Sequence, residues 1–126
     1  MRFAKAVFYI AAIYGFVSLP PLYFAFDFIG RNDPPAITHP QFYYGFVGLA
    51  LAWQLAFVVI ATDPVRFRAM MIPAIVEKFG FVIAVAALHL QGRMSGQQVV
   101  TAVPDLILGP LFIAAFLKTP GKDLNR

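Results

Sequence analysis

Four long apolar stretches, separated by short polar ones, dominate the pattern of this sequence. A helix that crosses a membrane needs about 20 mostly apolar residues, and each stretch meets or approaches that length. They cover residues 3–26, 42–61, 70–90 and 99–117. The pattern predicts a single all-α transmembrane domain over residues 1–126, an integral membrane four-helix bundle with short connections.

Two proline sites interrupt these stretches. Pro20-Pro21 lacks two backbone donors and disfavours helix at Leu19, so the first helix is expected to end or kink there. Gly109-Pro110 is expected to kink the fourth helix.

The composition indicates that the natural solvent of this chain is a bilayer. The chain is 60% hydrophobic and 13% charged, whereas a soluble domain has roughly 25% charged residues and under 50% apolar ones. A soluble chain this apolar would expose large patches and aggregate. The sequence contains no cysteine, which excludes disulfides, thiol redox chemistry, iron–sulfur clusters and cysteine-ligated zinc.

The basic residues predict the orientation of the bundle. The formal net charge is +4, and the basic side chains cluster at predicted helix ends rather than in a nucleic-acid-binding patch, so no nucleic-acid partner is expected. By the positive-inside rule both termini are predicted to be cytoplasmic, in a multi-pass protein of the bacterial inner membrane. One side carries Arg2, Lys5, Arg66, Arg68, Lys118, Lys122 and Arg126, and the other carries Arg31 and Arg93.

Glu77 and Lys78 stand side by side inside the third apolar stretch. A charged residue near the bilayer centre costs roughly 2.5–3.5 kcal/mol on insertion scales, so such residues pair, snorkel or face the bundle interior. Adjacent residues lie about 100° apart around a helix, so the two side chains are not expected to face each other. Their partners are expected on other helices.

Depth along the helices groups the polar residues into two layers. With a rise of about 1.5 Å per residue, Glu77 lies about 10 Å from the cytoplasmic boundary, and Gln54 and Tyr9 lie at a similar depth. This layer also contains Lys78, and Gln54 and Tyr9 are the candidate partners of Glu77.

The second layer lies towards the outer face. Asp105 is about 9 Å below the outer boundary by the same count. Tyr14 reaches a similar height, and His89 sits just above it. Asp105 is interpreted either as an acid favoured by the positive end of the fourth helix or as part of an outer cavity with Tyr14 and His89.

Small residues predict where the helices pack closely in lipid. Trp53 and Gln54 lie beside one such stripe, so Gln54 is expected to point into the bundle or a dimer seam. The stripes are Ala11 and Gly15 in the first helix, Gly48, Ala52 and Ala56 in the second, and Gly80 and Ala84 in the third.

Two interpretations of Glu77 stay open: a structural clamp bonded across helices, and a site that carries a proton or binds a cationic or hydroxyl-bearing ligand. The candidate ligand-binding residues are Glu77, Gln54, Tyr9, Lys78, Trp53, Asp105, His89 and Tyr14. No catalytic residue can be assigned. His39 and His89 both fall on the outer side, where haem ligation by two histidines is geometrically conceivable. Two lone histidines are weak evidence and no other metal-ligand spacing appears, so neither a metal nor another cofactor is expected.

The preferred hypothesis for function is a binding or accessory protein. Such a protein would hold a lipid-like or hydrophobic ligand, or dock on a larger membrane complex. The chain has almost no predicted mass outside the membrane and no catalytic motif, which favours this class.

A dimeric proton-coupled transporter is the second hypothesis. The size, the four helices and a membrane acid resemble the small multidrug resistance family. That family carries its essential acid in the first helix, whereas this chain has no acid before Asp27. Glu77 would take that role, in a homodimer formed through the stripe of the second helix.

The third hypothesis is a membrane enzyme acting on an isoprenoid, sterol or quinone. Glu77, Asp105 and His89 would be its acid–base candidates. The predicted difference of about 10 Å in height between Glu77 and Asp105 argues against one shared site.

Overall fold

The structure is a computed structural model that describes residues 2–121, and within them all regular structure is helical. The α-helices are α1 (Arg2–Ser18), α2 (Phe26–Asn32), α3 (Pro40–Thr62), α4 (Met71–Leu90), α5 (Gly96–Val99) and α6 (Val103–Lys118). Three 3₁₀ turns connect or extend them, at Pro20–Phe24, Arg68–Met70 and Val100–Ala102.

Four helical segments are long and apolar enough to cross a membrane, as is typical of a multi-pass membrane protein. Each contains 23 residues: α3 has this length by itself, and the 3₁₀ turns and α5 lengthen the other three helices to it. They are Arg2–Phe24, Pro40–Thr62, Arg68–Leu90 and Gly96–Lys118. The all-α four-helix architecture predicted from hydropathy is therefore confirmed.

The two proline sites behave differently. α1 ends at Ser18, and Pro20 begins a 3₁₀ turn, as expected from the missing backbone donors. Pro110, by contrast, lies inside α6, which continues through it to Lys118, and the expected kink of the helix axis stays a prediction. Gly109 beside it lies so close to the ring of Phe79 on α4 that an added Cβ would be 3.0 Å from the ring. α6 therefore packs closely against α4 at the position just before the proline.

The core lies where α1, α3 and α6 meet. α1 packs on both α3 and α6, and α6 packs on α4. The rings of Phe8, Phe57 and Phe112 are fully buried at the centre, with centroids 4.3 to 5.9 Å apart. α3 and α4 follow each other in the chain but contact each other only slightly. The bundle is therefore closed on three sides and open between α3 and α4.

The small-residue stripes were only partly correct as packing predictions. Ala11 and Gly15 are buried in the α1 interface, as expected. Gly80 and Ala84, however, are exposed on α4, and Ala52 is exposed on α3. Gly80 and Ala84 face outward because α4 packs through Ala74 and Lys78, and Ala52 faces outward because α3 packs through Gln54 and Phe57.

One end of the bundle gathers basic side chains from three parts of the chain. Arg68 Nε donates to the carbonyl oxygens of Phe116 (3.1 Å) and Thr119 (2.7 Å) at the end of α6. Lys118 lies 4.2 Å from the ring centroid of Phe3 on α1. Arg68 and Lys118, which were predicted to lie on the same side of the membrane, therefore lie at the same end of the bundle. The side of the membrane that this end faces stays a prediction, and Lys122 and Arg126 lie outside the described residues.

Candidate ligand-binding cavity

A cavity of about 960 Å³ occupies the open side of the bundle, between α3 and α4. α1 and α6 form its back wall. Apolar residues line most of it, among them Leu22, Ile29, Phe46, Phe81 and Val100. The rings of Phe46 and Phe81 stack across the gap between α3 and α4, with centroids 6.1 Å apart. Ligand pockets in proteins typically have volumes of about 300–1,000 Å³ and mostly apolar walls, so this cavity has the size and lining of one.

Lys78 is the buried centre of the polar part of the cavity. It is only 5% exposed, and its Nζ donates to Asp105 Oδ1 at 3.0 Å. The ammonium also lies 5.1 Å from the ring centroid of Phe57 and 5.9 Å from that of Phe112. A cation is favoured near the face of an aromatic ring. Lys78 is thus held by a carboxylate on α6 and by two core rings.

Glu77 is the second carboxylate beside this ammonium. Its Oε2 lies 3.6 Å from Lys78 Nζ, an ion-pair distance longer than a good hydrogen bond. This oxygen is fully buried, and within residues 2–121 no donor forms a hydrogen bond to it. With all three groups ionised, Glu77, Lys78 and Asp105 carry one net negative charge. That charge lies in the wall of the cavity, because all three residues line it.

Gln54 contributes a second unsatisfied oxygen from α3. The residue is 3% exposed, and its Nε2 donates to the carbonyl of Ala50 one turn back at 2.9 Å. Its Oε1 is buried and accepts no hydrogen bond from the described part of the chain. The amide lies directly over Gly15 of α1, where a Cβ would overlap it. Glycine at this position gives the amide its room beside the cavity.

The predicted separation of Glu77 and Asp105 into two layers is wrong. Both carboxylates contact the same Lys78 ammonium. The depth count started the third and fourth helices too late, because both segments run for 23 residues, from Arg68 and from Gly96. Counted from those ends, each carboxylate lies about 13–14 Å deep, so their heights differ by only about 6 Å in a segment about 33 Å long. The lysine side chain spans that difference.

Lys78 has its hydrogen-bond partner on another helix, as expected, but the expectation that Glu77 and Lys78 do not face each other is wrong, because the long lysine side chain brings its ammonium within 3.6 Å of the neighbouring carboxylate. The expected bond between Glu77 and Gln54 is not formed either. Both residues line the cavity, but the amide of Gln54 donates within its own helix.

The structure brings together five of the eight candidate residues. The cavity is lined by Tyr14, Gln54, Glu77, Lys78 and Asp105.

The other three candidates lie elsewhere. Tyr9 is 40% exposed on the outside of α1, away from the buried face of that helix. Trp53 packs against the core beside Phe57, with ring centroids 6.2 Å apart. His89 is exposed, and its Nδ1 lies 3.1 Å from the carbonyl of Met94 in the following loop. Whether any of the eight binds a ligand stays a prediction.

Sequence reasoning missed several residues of the cavity. Gly15 was recognised as a packing residue but not as the neighbour of Gln54. Tyr43 was not among the candidates, yet it lines the cavity and its hydroxyl donates to the carbonyl of Leu22. Phe46 and Phe81 carried no signal that separates them from other apolar residues. Their place in the cavity follows only from the position of α3 and α4 on either side of the gap.

Comparisons with known proteins give no match to this chain among protein-family models, curated proteins or solved structures. Function is therefore inferred from the cavity itself.

Proposed function

We propose that this protein is a small membrane binding protein that holds an amphiphilic, lipid-like ligand in the cavity between α3 and α4. The observation that carries the proposal is the combination of a cavity of about 960 Å³ with two buried oxygens, Gln54 Oε1 and Glu77 Oε2, that no donor in the described chain satisfies. Buried polar groups in proteins are nearly always hydrogen-bonded, and an unmade bond is costly. A ligand that donates to these oxygens removes that cost.

The cavity divides into a polar and an apolar part, which is why an amphiphile suits it. Gln54, Glu77 and Lys78 supply the polar groups, while Phe46 and Phe81 line the gap between the helices. The polar end of a ligand would lie at the carboxylate and the amide. Its hydrocarbon part would lie against the two stacked rings.

The proposed location is the bacterial inner membrane, with both termini in the cytoplasm. The clustering of basic side chains at one end of the bundle supports this orientation. The chain has no cysteine, so single cysteines report topology directly. A membrane-impermeant maleimide applied to spheroplasts is expected to label Ser95→Cys and to spare Asp63→Cys. The reverse pattern would overturn the orientation.

A matched pair of cavity variants tests the binding function. Ala50 lines the cavity, whereas Ala52 is exposed on the same helix and does not. Ala50→Phe is expected to fill the cavity, and Ala52→Phe is expected to leave it open. The probes are alkyl amphiphiles that carry a diazirine in the chain, photo-crosslinked to the protein in nanodiscs and mapped by peptide mass spectrometry.

Crosslinks to cavity-lining peptides are expected in the wild type and in Ala52→Phe, and are expected to be lost in Ala50→Phe. Crosslinks confined to lipid-facing residues in all three proteins would refute the binding function. Native mass spectrometry of the protein extracted from membranes would show in parallel whether an amphiphile stays bound.

A membrane enzyme acting on an isoprenoid, sterol or quinone is the second candidate. The observation that favours it is that Glu77 and Asp105, which were predicted to be too far apart for a shared site, flank one ammonium on one cavity. His89 lies outside the cavity and has no part in this version. Conversion of a bound isoprenoid, sterol or quinone, followed by mass spectrometry, would distinguish an enzyme from a binding protein.

A further inference from the structure

The polar end of the cavity presents acceptors and negative charge, while its cation is already engaged. Lys78 donates to Asp105 at 3.0 Å and is 5% exposed. The carboxylate oxygen of Glu77 and the amide oxygen of Gln54 are left as buried acceptors without donors in the described chain. A ligand that satisfies this site must bring donors, and it must bring them to two oxygens.

The charge of the site also favours a ligand that carries donors and a positive charge. With both carboxylates ionised, the cluster carries one net negative charge, and Glu77 is the carboxylate farther from the ammonium, at 3.6 Å against 3.0 Å. An uncompensated charge in an apolar environment is strongly unfavourable. A ligand with one positive charge would make the cluster neutral.

We propose, on the basis of the binding function above, that the ligand of this cavity is a hydrophobic amine whose protonated head lies beside Glu77 and Gln54 and donates N–H hydrogen bonds to their side-chain oxygens as these side chains turn towards it. A primary ammonium has three N–H donors, so it can serve two acceptors and balance one negative charge together. A hydroxyl has one donor and no charge. A quaternary ammonium has the charge but no donor, and a fatty acid adds a negative charge to a site that already has one.

The head group can be tested with a series that keeps the hydrocarbon chain constant. The competitors are dodecylamine, dodecanol, dodecyltrimethylammonium and dodecanoate, each displacing a diazirine-bearing alkylamine from the protein in nanodiscs of neutral lipid. Charge-assisted hydrogen bonds are stronger than neutral ones, so dodecylamine is expected to compete at least about tenfold better than each of the others.

Variants of Glu77 and Gln54 test which side chain causes the preference for the amine over the alcohol. Glu77→Gln is expected to reduce the preference for the amine over the alcohol to within about twofold, because it removes the charge. Gln54→Met is expected to weaken amine binding about fivefold while retaining the preference, because it removes one neutral acceptor. Asp27→Asn is the matched control: Asp27 is an exposed acid on α2 outside the cavity, and its loss is expected to change nothing.

The outcomes separate this inference from the binding function. Equal competition by dodecanol and dodecylamine would overturn the amine assignment and leave a binding protein for neutral amphiphiles. Equal competition by dodecyltrimethylammonium would show that charge is recognised without N–H donors, and would also overturn it. Absence of any cavity crosslink would overturn both proposals. If Glu77→Gln does not fold, the head-group series on the wild-type protein decides alone.

Discussion

Replacing Lys78 by methionine should be the most damaging single change in the described bundle that keeps side-chain length. Methionine retains an unbranched apolar stem and removes the ammonium. In the wild type this ammonium lies 3.0 Å from Asp105 Oδ1 and 3.6 Å from Glu77 Oε2, and the residue is 5% exposed. Lys78→Met would therefore leave two carboxylates in the bilayer without a counter-charge.

The distances set the scale of the loss. At an effective dielectric constant of about 20, the attraction is about 5.5 kcal/mol at 3.0 Å and about 4.6 kcal/mol at 3.6 Å. Desolvation offsets much of this attraction, and removal of one partner from a buried pair costs about 3–5 kcal/mol. A carboxylate left alone can neutralise itself by binding a proton, which favours the lower end. We expect Lys78→Met to lower the free energy of unfolding by about 3 kcal/mol.

Trp53 provides the assay. It is the single tryptophan of the chain and packs against the core beside Phe57, so its fluorescence reports unfolding when a denaturing detergent is titrated into the folded protein. Two double-mutant cycles are compared. One combines Lys78→Met with Asp105→Asn, and the other combines Lys78→Met with Glu77→Gln. The coupling to Asp105 should be about 2 kcal/mol and should exceed the coupling to Glu77.

Lys118→Met is the matched control. Lys118 is exposed and lies over the ring of Phe3 at the basic end of the bundle, so its loss should cost no more than about 1 kcal/mol. The reasoning is refuted if Lys78→Met costs no more than Lys118→Met. It is refuted also if Lys78 couples more strongly to Glu77 than to Asp105.

Two further pairs of variants use the same titration. Gly15→Ala should lower the free energy of unfolding by about 1 kcal/mol, because overlap with Gln54 outweighs the gain in helix propensity. Gly80 is exposed and an added Cβ meets nothing within 4 Å, so Gly80→Ala should raise the free energy of unfolding by about 0.5 kcal/mol. Equal stabilisation by both would show that the amide of Gln54 is not held against α1. Arg68→Ala should lower the free energy of unfolding by about 2–3 kcal/mol, because it removes two hydrogen bonds to carbonyls at the end of α6. Arg66 is exposed, so Arg66→Ala should change the free energy of unfolding by no more than about 0.5 kcal/mol. Identical midpoints for the two arginine variants would contradict this role.

The four spanning segments could be predicted from hydropathy because a bilayer demands one uniform property over about 20 residues. The break at Pro20 could be predicted for a similarly local reason, since proline removes a donor wherever it stands. Depth was less reliable, because residues 96–98 look like a polar loop and yet begin the last spanning segment. Together with the earlier start of the third segment at Arg68, this displacement separated Asp105 from Lys78 in the depth count.

Rotation about each helix axis was predicted only in part: the small-residue stripes placed Ala11, Gly15 and Gln54 correctly on inward faces, but not Ala52, Gly80 and Ala84. Tyr9 and Gln54 were matched by height, but Tyr9 is turned to the outside of α1 and Gln54 to the inside of α3. Depth follows from counting residues, whereas facing depends on which helices are neighbours. The slight contact between α3 and α4, despite their short connection, decides that question, and no local pattern encodes it.

The pairing of Lys78 with Asp105 has a consequence for the biosynthesis of the protein. Asp105 is added to the growing chain 27 residues after Lys78, so α4 emerges from the ribosome with two charged side chains and without its partner. Each charge costs roughly 2.5–3.5 kcal/mol at the centre of a membrane helix. A translocon would admit α4 more readily once α6 has arrived. We therefore expect α4 and α6 to enter the bilayer together as a hairpin, while α1 and α3 can be released into lipid one at a time.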